Sequence, residues 1–165
     1  MIAIIDYGMG NLRSVQKGFE KVGCDAVVTG DAGAIAEADG VVLPGVGSFK
    51  MCMENLRTFR LIDPIHGAIE SGRPFLGICL GYQLLFTESE EYGPCPGLGI
   101  LNGRVVRFGG DVKTPHMGWN QVKIVRRPPI LEHVEEDSYL YFVHSYYVVP
   151  EDEGIIAANT EYSTD

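Results

Sequence analysis

Gly77-Ile78-Cys79-Leu80-Gly81 sets a cysteine between two glycines, after the apolar run "RPFLGI" and before "LGYQLLF". This G-x-nucleophile-x-G spacing is the pattern of a nucleophile elbow, a sharp strand-to-helix turn that presents a reactive side chain on an α/β sheet. Each glycine answers a steric demand, because the backbone of such a turn passes so close to its neighbours that a Cβ would collide. The chemistry on offer is acyl transfer: the sulfur attacks a carbonyl carbon, and the Leu80 amide lies where a donor to the new oxyanion is needed. A helix opening at the thiol, over "LGYQLLFTESEE", would add free N–H groups and partial positive charge that favour a thiolate. The plainer alternative is a small core residue at the end of a buried strand, the common fate of a free cysteine.

The surrounding elements suit an elbow. "MIAIIDYG" is an apolar run too short for three helical turns and reads as a buried parallel strand. From Asn11, an N-cap, the residues Leu12, Val15, Phe19 and Val22 recur at helical spacing up to Gly23. "CDAVVTG" and "GVVLPG" repeat the strand signature around the short helix "DAGAIAEAD", two helical segments occupy 48–71, and "RPFLGI" supplies a fourth strand. The expected fold is α/β: an open mixed, mainly parallel sheet of flavodoxin-like type with helices on both faces, whose ligands gather at the strand carboxyl ends. After Glu91 the runs "GRVVRF", "QVKIV", "SYLYFVHSYYVV" and "GIIAANTEY" predict antiparallel β additions, with a turn at "ILEHV". No low-complexity linker divides the chain, so residues 1–165 are expected to form a single domain.

Composition narrows the partners. With 13 Lys plus Arg against 22 Asp plus Glu, the formal charge of −9 disfavours nucleic acid and anionic membrane surfaces. There is no membrane-length apolar run and no secretion signal, and the four cysteines lack a CxxC pair, so a cytoplasmic protein with free thiols and no metal is expected. Cys24, Cys52 and Cys95 read as space-filling. Gly8-Met9-Gly10 does not extend to a dinucleotide-binding GxGxxG, because Arg13 stands where the third glycine belongs. His66 reads as a surface or half-buried helix residue, the tyrosines between 139 and 147 as β-formers, and Glu88, Glu90 and Glu91 as a solvated cluster.

Together, "IAIIDYGMGNLRSV", "LPGVGSF", "GICLGYQLLF", "PHMGWNQV" and "YFVHSYYV" resemble, in order and spacing, the class I (triad) glutamine amidotransferases. Within them, "DYGMGNL" and "PHMGWN" resemble the glutaminase subunits of imidazole glycerol phosphate synthase. The resemblance implies that Cys79 attacks the side-chain amide of glutamine, forms a glutamyl thioester and releases ammonia. It implies an oxyanion hole from the Leu80 amide and Gly45, Val46 and Gly47. Gln83 and the stretch His144-Ser145-Tyr146 would hold the amino-acid end of glutamine. No cofactor is implied. The expected partner is a separate TIM-barrel cyclase in a heterodimer, receiving ammonia through a dry tunnel and forming imidazole glycerol phosphate in histidine biosynthesis; a barrel of ~200 residues or more does not fit within this chain. Asn11, His116 and Trp119 are the residues expected at that contact.

One feature of the family pattern is missing. The general base of these enzymes sits in a His-Pro-Glu block after the last strands, and no such block follows "AANTEYSTD". The expectation is a C-terminally truncated form that alkylates at Cys79 but turns glutamine over slowly or not at all. The alternatives are a catalytically silent flavodoxin-like binding or regulatory module, and an amidotransferase of another pathway.

Overall fold

The computed structural model describes residues 1–110 and 112–162; the expected domain end at Asp165 lies outside the described residues. The first half alternates as read: β1 (Ile2–Ile5), α1 (Leu12–Lys21), β2 (Ala26–Thr29), α2 (Ala32–Glu37), β3 (Gly40–Gly45), α3 (Phe49–Thr58), α4 (Ile62–Glu70) and β4 (Phe75–Cys79). The four strands form a parallel sheet in the order β2-β1-β3-β4. The two-residue period of a strand sends Ala3, Ile5, Val41 and Leu43 to one face, where Ile35 of α2, Phe49, Met53 and Leu56 of α3, and Ile65 of α4 close over them. Ile4 and Val42 point to the other face, beneath Leu12, Val15 and Phe19 of α1. Burial on both faces is why β1 and β3 read as unbroken apolar runs.

Helix starts follow the capping residues. The side chains of Asn11, Asp31 and Ser48 accept the N–H groups of Ser14, Ala34 and Met51 at the heads of α1, α2 and α3. Val22, expected in the apolar stripe of α1, is instead its C-cap and is 73% exposed, because the chain turns out at Gly23 with φ of +80°.

Two departures shape the site. The helix expected over residues 80–91 is one turn, α5 (Leu80–Gln83), followed by strand β5 (Phe86–Ser89). Here tertiary pairing overrides local helical preference: β5 runs parallel to β7 (Leu101–Arg107) and buries Phe86 and Ser89. The strand-like run of residues 138–149 divides at Ser145. β10 (Tyr139–His144) pairs antiparallel with β8 (His116–Gln121), whereas β11 (Tyr146–Pro150) pairs with β7. His144 and Tyr146 therefore stand where the chain crosses between two sheets. With β6 (Cys95–Pro96), the second sheet has the order β11-β7-β5-β6; β9 (Lys123–Ile124) and β12 (Ala158–Asn159) make a further antiparallel pair. "ILEHV" begins in a 3-10 turn, Pro129–Leu131. Among the described residues, no helix is long and apolar enough to cross a membrane.

Candidate active site

Cys79 ends β4 and opens α5, exposed, with φ of +54° and ψ of −117°. That backbone conformation is one that L-residues rarely adopt, and it is the bend the G-x-C-x-G pattern demands. Three segments meet around it. A Cβ on Gly77 would lie 2.6 Å from the Tyr82 Cα, one on Gly45 would lie 2.5 Å from the Gly81 nitrogen, and one on Gly81 would run into the Leu43 carbonyl. β3 and β4 pair so that Gly45 stands opposite Cys79, which sets the Gly45–Gly47 segment beside the sulfur. Val46 is exposed, and Gly47 has φ of +89° with Met9 packed against its Cα side. The Leu80 side chain is buried, and its amide belongs to the first turn of α5, whose N–H groups have no intrahelical acceptor. Because α5 is one turn long, the helix dipole at the thiol is much smaller than a twelve-residue helix would supply.

Gln83 is 8% exposed and reaches away from solvent, its Nε2 donating to the Tyr146 carbonyl at 3.0 Å. The same carbonyl lies 2.9 Å from His144 Nδ1. A carbonyl only accepts, so His144 carries its proton on Nδ1, and its Nε2 accepts from His116 Nδ1 at 3.1 Å. His116 Nε2 in turn faces the Asn120 amide at 3.3 Å, whose other hydrogen goes to the Glu161 carbonyl at 2.9 Å. The donors thus run in one direction, Asn120 to His116 to His144 to Tyr146. Tyr162 and Phe142 stack on the two sides of the His116 ring, with centroids 3.7 and 4.9 Å away.

His116 is 4% exposed, so its ring lies inside the protein, whereas Trp119, also expected at a partner surface, is 69% exposed and meets Tyr141 edge-on at 5.6 Å. Asn11 is exposed but already caps α1. Both ring nitrogens of His144 are engaged, one with the Tyr146 carbonyl and one with His116. His133-Val134-Glu135 lies in the turn after Leu131, with His133 exposed. Ser145 is half-buried between the two sheets, and its carbonyl accepts the Phe108 N–H.

Some residues read as bland have specific partners. Glu91 Oε2 accepts the Phe49 N–H at 2.7 Å at the head of α3, and Glu90 Oε1 accepts the Arg107 N–H at 2.6 Å, so the acidic cluster ties backbone together. Cys52 is fully buried and its thiol donates to the Val46 carbonyl at 3.5 Å, while Cys24, expected to fill space, is exposed. Among the described residues no group of three or more His, Cys, Asp or Glu side chains could hold a metal ion.

Burial of His116 makes stability pH-dependent. Burial first, and the neighbouring His144 ring second, push the His116 imidazole below its ordinary pKa. Between that lowered value and about 6.5 the unfolded chain binds more protons at this residue than the folded one, so the His116 contribution to stability rises with pH there and is constant above. Thermal unfolding midpoints measured from pH 5 to 8 should therefore fall on acidification below about 6.5, and His116→Gln should show a shallower fall over the same range. Parallel profiles for the two proteins would remove His116 as the source.

The glutamine amidotransferase class-I family profile matches residues 3–164. Imidazole glycerol phosphate synthase subunit HisH of Syntrophotalea carbinolica is 60% identical, with 98% of this chain and 82% of that protein covered. The subunit of the same name from Geobacter metallireducens is 56% identical, covering 99% and 81%, and that from Aquifex aeolicus is 52% identical, covering 96% and 77%. Among solved structures, a crystal structure of glutamine amidotransferase superposes with a TM-score of 0.74 at 18% identity, covering 96% of this chain and 79% of that one. PurLQS from Thermotoga maritima gives 0.71 at 17% identity, covering 96% and 73%.

Proposed function

The chain belongs to the class I glutamine amidotransferase family, and from that premise we propose how its residues divide the work. It hydrolyses glutamine to glutamate and ammonia for imidazole glycerol phosphate synthase, the histidine-pathway enzyme whose glutaminase subunits it matches over nearly its whole length. The Cys79 sulfur attacks the carbonyl carbon of the glutamine side chain; the C–N bond breaks, nitrogen takes up a proton and leaves as ammonia, and water then cleaves the thioester to return the thiol and glutamate. The Leu80 amide and the Gly45–Gly47 backbone stabilise the oxygen that becomes negative. Gln83 and the His144–Tyr146 stretch hold the amino-acid end of the substrate. The observation that carries this reading is Cys79 itself, exposed at φ of +54° and paired across the sheet with Gly45.

Ammonia is of use to a synthase only if it reaches the second reaction before water does, so the partner is a cyclase subunit that seals the cleft. We assign that subunit a TIM barrel and its contact to loops around the site, with Trp119, Met117 and Tyr141 as exposed apolar anchors on one face of the β8–β10 ribbon. Asn11, exposed at the head of α1, is assigned to that contact, and the buried His116 ring supports the ribbon from its opposite face. The four free thiols suit the cytoplasm. The general base is not assigned to any histidine among residues 1–165.

A diazoketone analogue of glutamine tests the reading. It is expected to add once, at Cys79, and glutamine is expected to protect. Cys24 is also exposed and serves as the internal control. Equal labelling of Cys24 and Cys79, or labelling indifferent to glutamine, would rule out a glutamine site at the elbow. Steady release of glutamate by the 165-residue chain is expected to be slow beside capture, and fast release would require a base within it.

A further inference from the structure

Beneath the Gly45–Gly47 segment lies a buried polar pair that the reaction as described does not use. Tyr7, two residues beyond β1, is fully buried, and its hydroxyl donates to the Pro44 carbonyl at 2.7 Å. The backbone pairing of β1 with β3 stops at Ile4 and Val42, so this hydroxyl takes the place of the next donor in the ladder. Tyr7 is itself held by Asn55 of α3, whose Nδ2 donates to the Tyr7 carbonyl at 3.0 Å. Tyr7 Oη also stands 3.6 Å from Cys52 Sγ, and the Cys52 thiol lies 3.5 Å from the Val46 carbonyl. Burial raises the pKa of both the phenol and the thiol, so each keeps the proton it donates.

The consequence follows from peptide planarity. β3 lies between β1 and β4, so a Pro44 carbonyl turned to Tyr7 directs the Gly45 N–H the opposite way, towards β4 and the strand end that bears Cys79. A Val46 carbonyl turned to Cys52 directs the Gly47 N–H away from α3. The single peptide between Gly45 and Val46 is thus bracketed by two anchored ones. Glycine on both sides of Val46 leaves this stretch few steric restraints of its own, so its orientation needs outside support.

We propose that Tyr7 and Cys52 are positioning residues for acyl transfer: their hydroxyl and thiol hold the Pro44 and Val46 carbonyls and so set the orientation of the Gly45–Val46 peptide beside the Cys79 sulfur. The proposal rests on the assignment of Gly45–Gly47 to the oxyanion site. Neither side chain touches substrate; they act through backbone.

The test separates sulfur reactivity from oxyanion binding in this chain. Alkylation of Cys79 by chloroacetamide displaces chloride and needs no oxyanion donor. Glutamate γ-semialdehyde adds to the same sulfur as a hemithioacetal, whose oxygen occupies the oxyanion site, and its Kd is read from the concentration that protects the Cys79 peptide from alkylation. In Tyr7→Phe and Cys52→Ala the aldehyde Kd is expected to rise at least about tenfold while the alkylation rate stays within about twofold of wild type. Cys52→Ser, which retains a donor, should lie closer to wild type than Cys52→Ala. Aldehyde affinity unchanged in both variants, or alkylation and affinity falling by the same factor, overturns the proposal. Should Tyr7→Phe fail to fold by circular dichroism, the comparison of Cys52→Ala with Cys52→Ser decides it. A wild-type chain that alkylates but is never protected by the aldehyde would instead overturn the oxyanion assignment, and this proposal with it.

Discussion

Replacing Gly81 by alanine is expected to destabilise the protein by about 3 kcal/mol or more, at the upper end of what overpacking does. The new methyl would enter the Leu43 carbonyl and lie 3.1 Å from the Pro44 carbonyl carbon, and both obstacles are backbone of the central strand β3. A flexible side chain could swing aside; strand backbone held in the ladder with β4 cannot, so α5 must move off the sheet. That movement would carry the Leu80 amide and Gln83 away from Cys79 and Tyr146, so capture of a glutamine analogue should fall with stability. Gly77→Ala meets the Tyr82 backbone at 2.6 Å and should behave similarly. Gly18→Ala is the control: it is an exposed residue inside α1 with nothing near its would-be Cβ, and it should gain about 0.5–1 kcal/mol. Urea midpoints for the three variants check the order, and a Gly81→Ala protein as stable as wild type would mean that the segments around the elbow are not packed as described.

The parts of this fold that could be read from sequence are those fixed by local rules. Short unbroken apolar runs marked β1 and β3, Asn11 marked the start of α1, and the spacing of Gly77 and Gly81 around Cys79 marked the bend, because each states a steric or hydrogen-bonding requirement over a few residues. The length of α5 did not follow from such rules. "LGYQLLF" carries helical apolar spacing, but Phe86 is claimed by pairing with Leu101, and nothing near it in the chain announces that partner.

The same limit hid the supports of the site. Tyr7 and the Pro44 carbonyl are 37 positions apart, Glu91 and the Phe49 amide 42, and Gln83 and the Tyr146 carbonyl 63. A buried tyrosine, an acidic cluster and a glutamine have ordinary meanings until the fold brings their acceptors to them. His116 shows the converse. Its loop motif suggested a surface role, yet cross-strand pairing with His144 and stacking by Tyr162 draw the ring inside.

Cys79→Gly is expected to raise stability by about 1 kcal/mol while ending covalent chemistry at the elbow. At φ of +54° and ψ of −117° the cysteine occupies a region that costs a residue with a Cβ on the order of 1–3 kcal/mol, and glycine enters it freely. Part of that gain, about 0.5–1 kcal/mol, is returned because glycine leaves the unfolded chain more freedom to lose. The exposed thiol contributes little packing to offset the balance. Function moves the other way: without the sulfur there is no thioester, and glutamine-protected capture of the diazoketone analogue at the elbow should be lost. Cys79→Ser separates the two effects, since it keeps the Cβ and the strain; its urea midpoint should match wild type even though it too no longer captures the analogue. A glycine variant no more stable than wild type would show that the bend stores no strain at Cys79, and glutamine-protected capture persisting in it would assign the nucleophile to another residue.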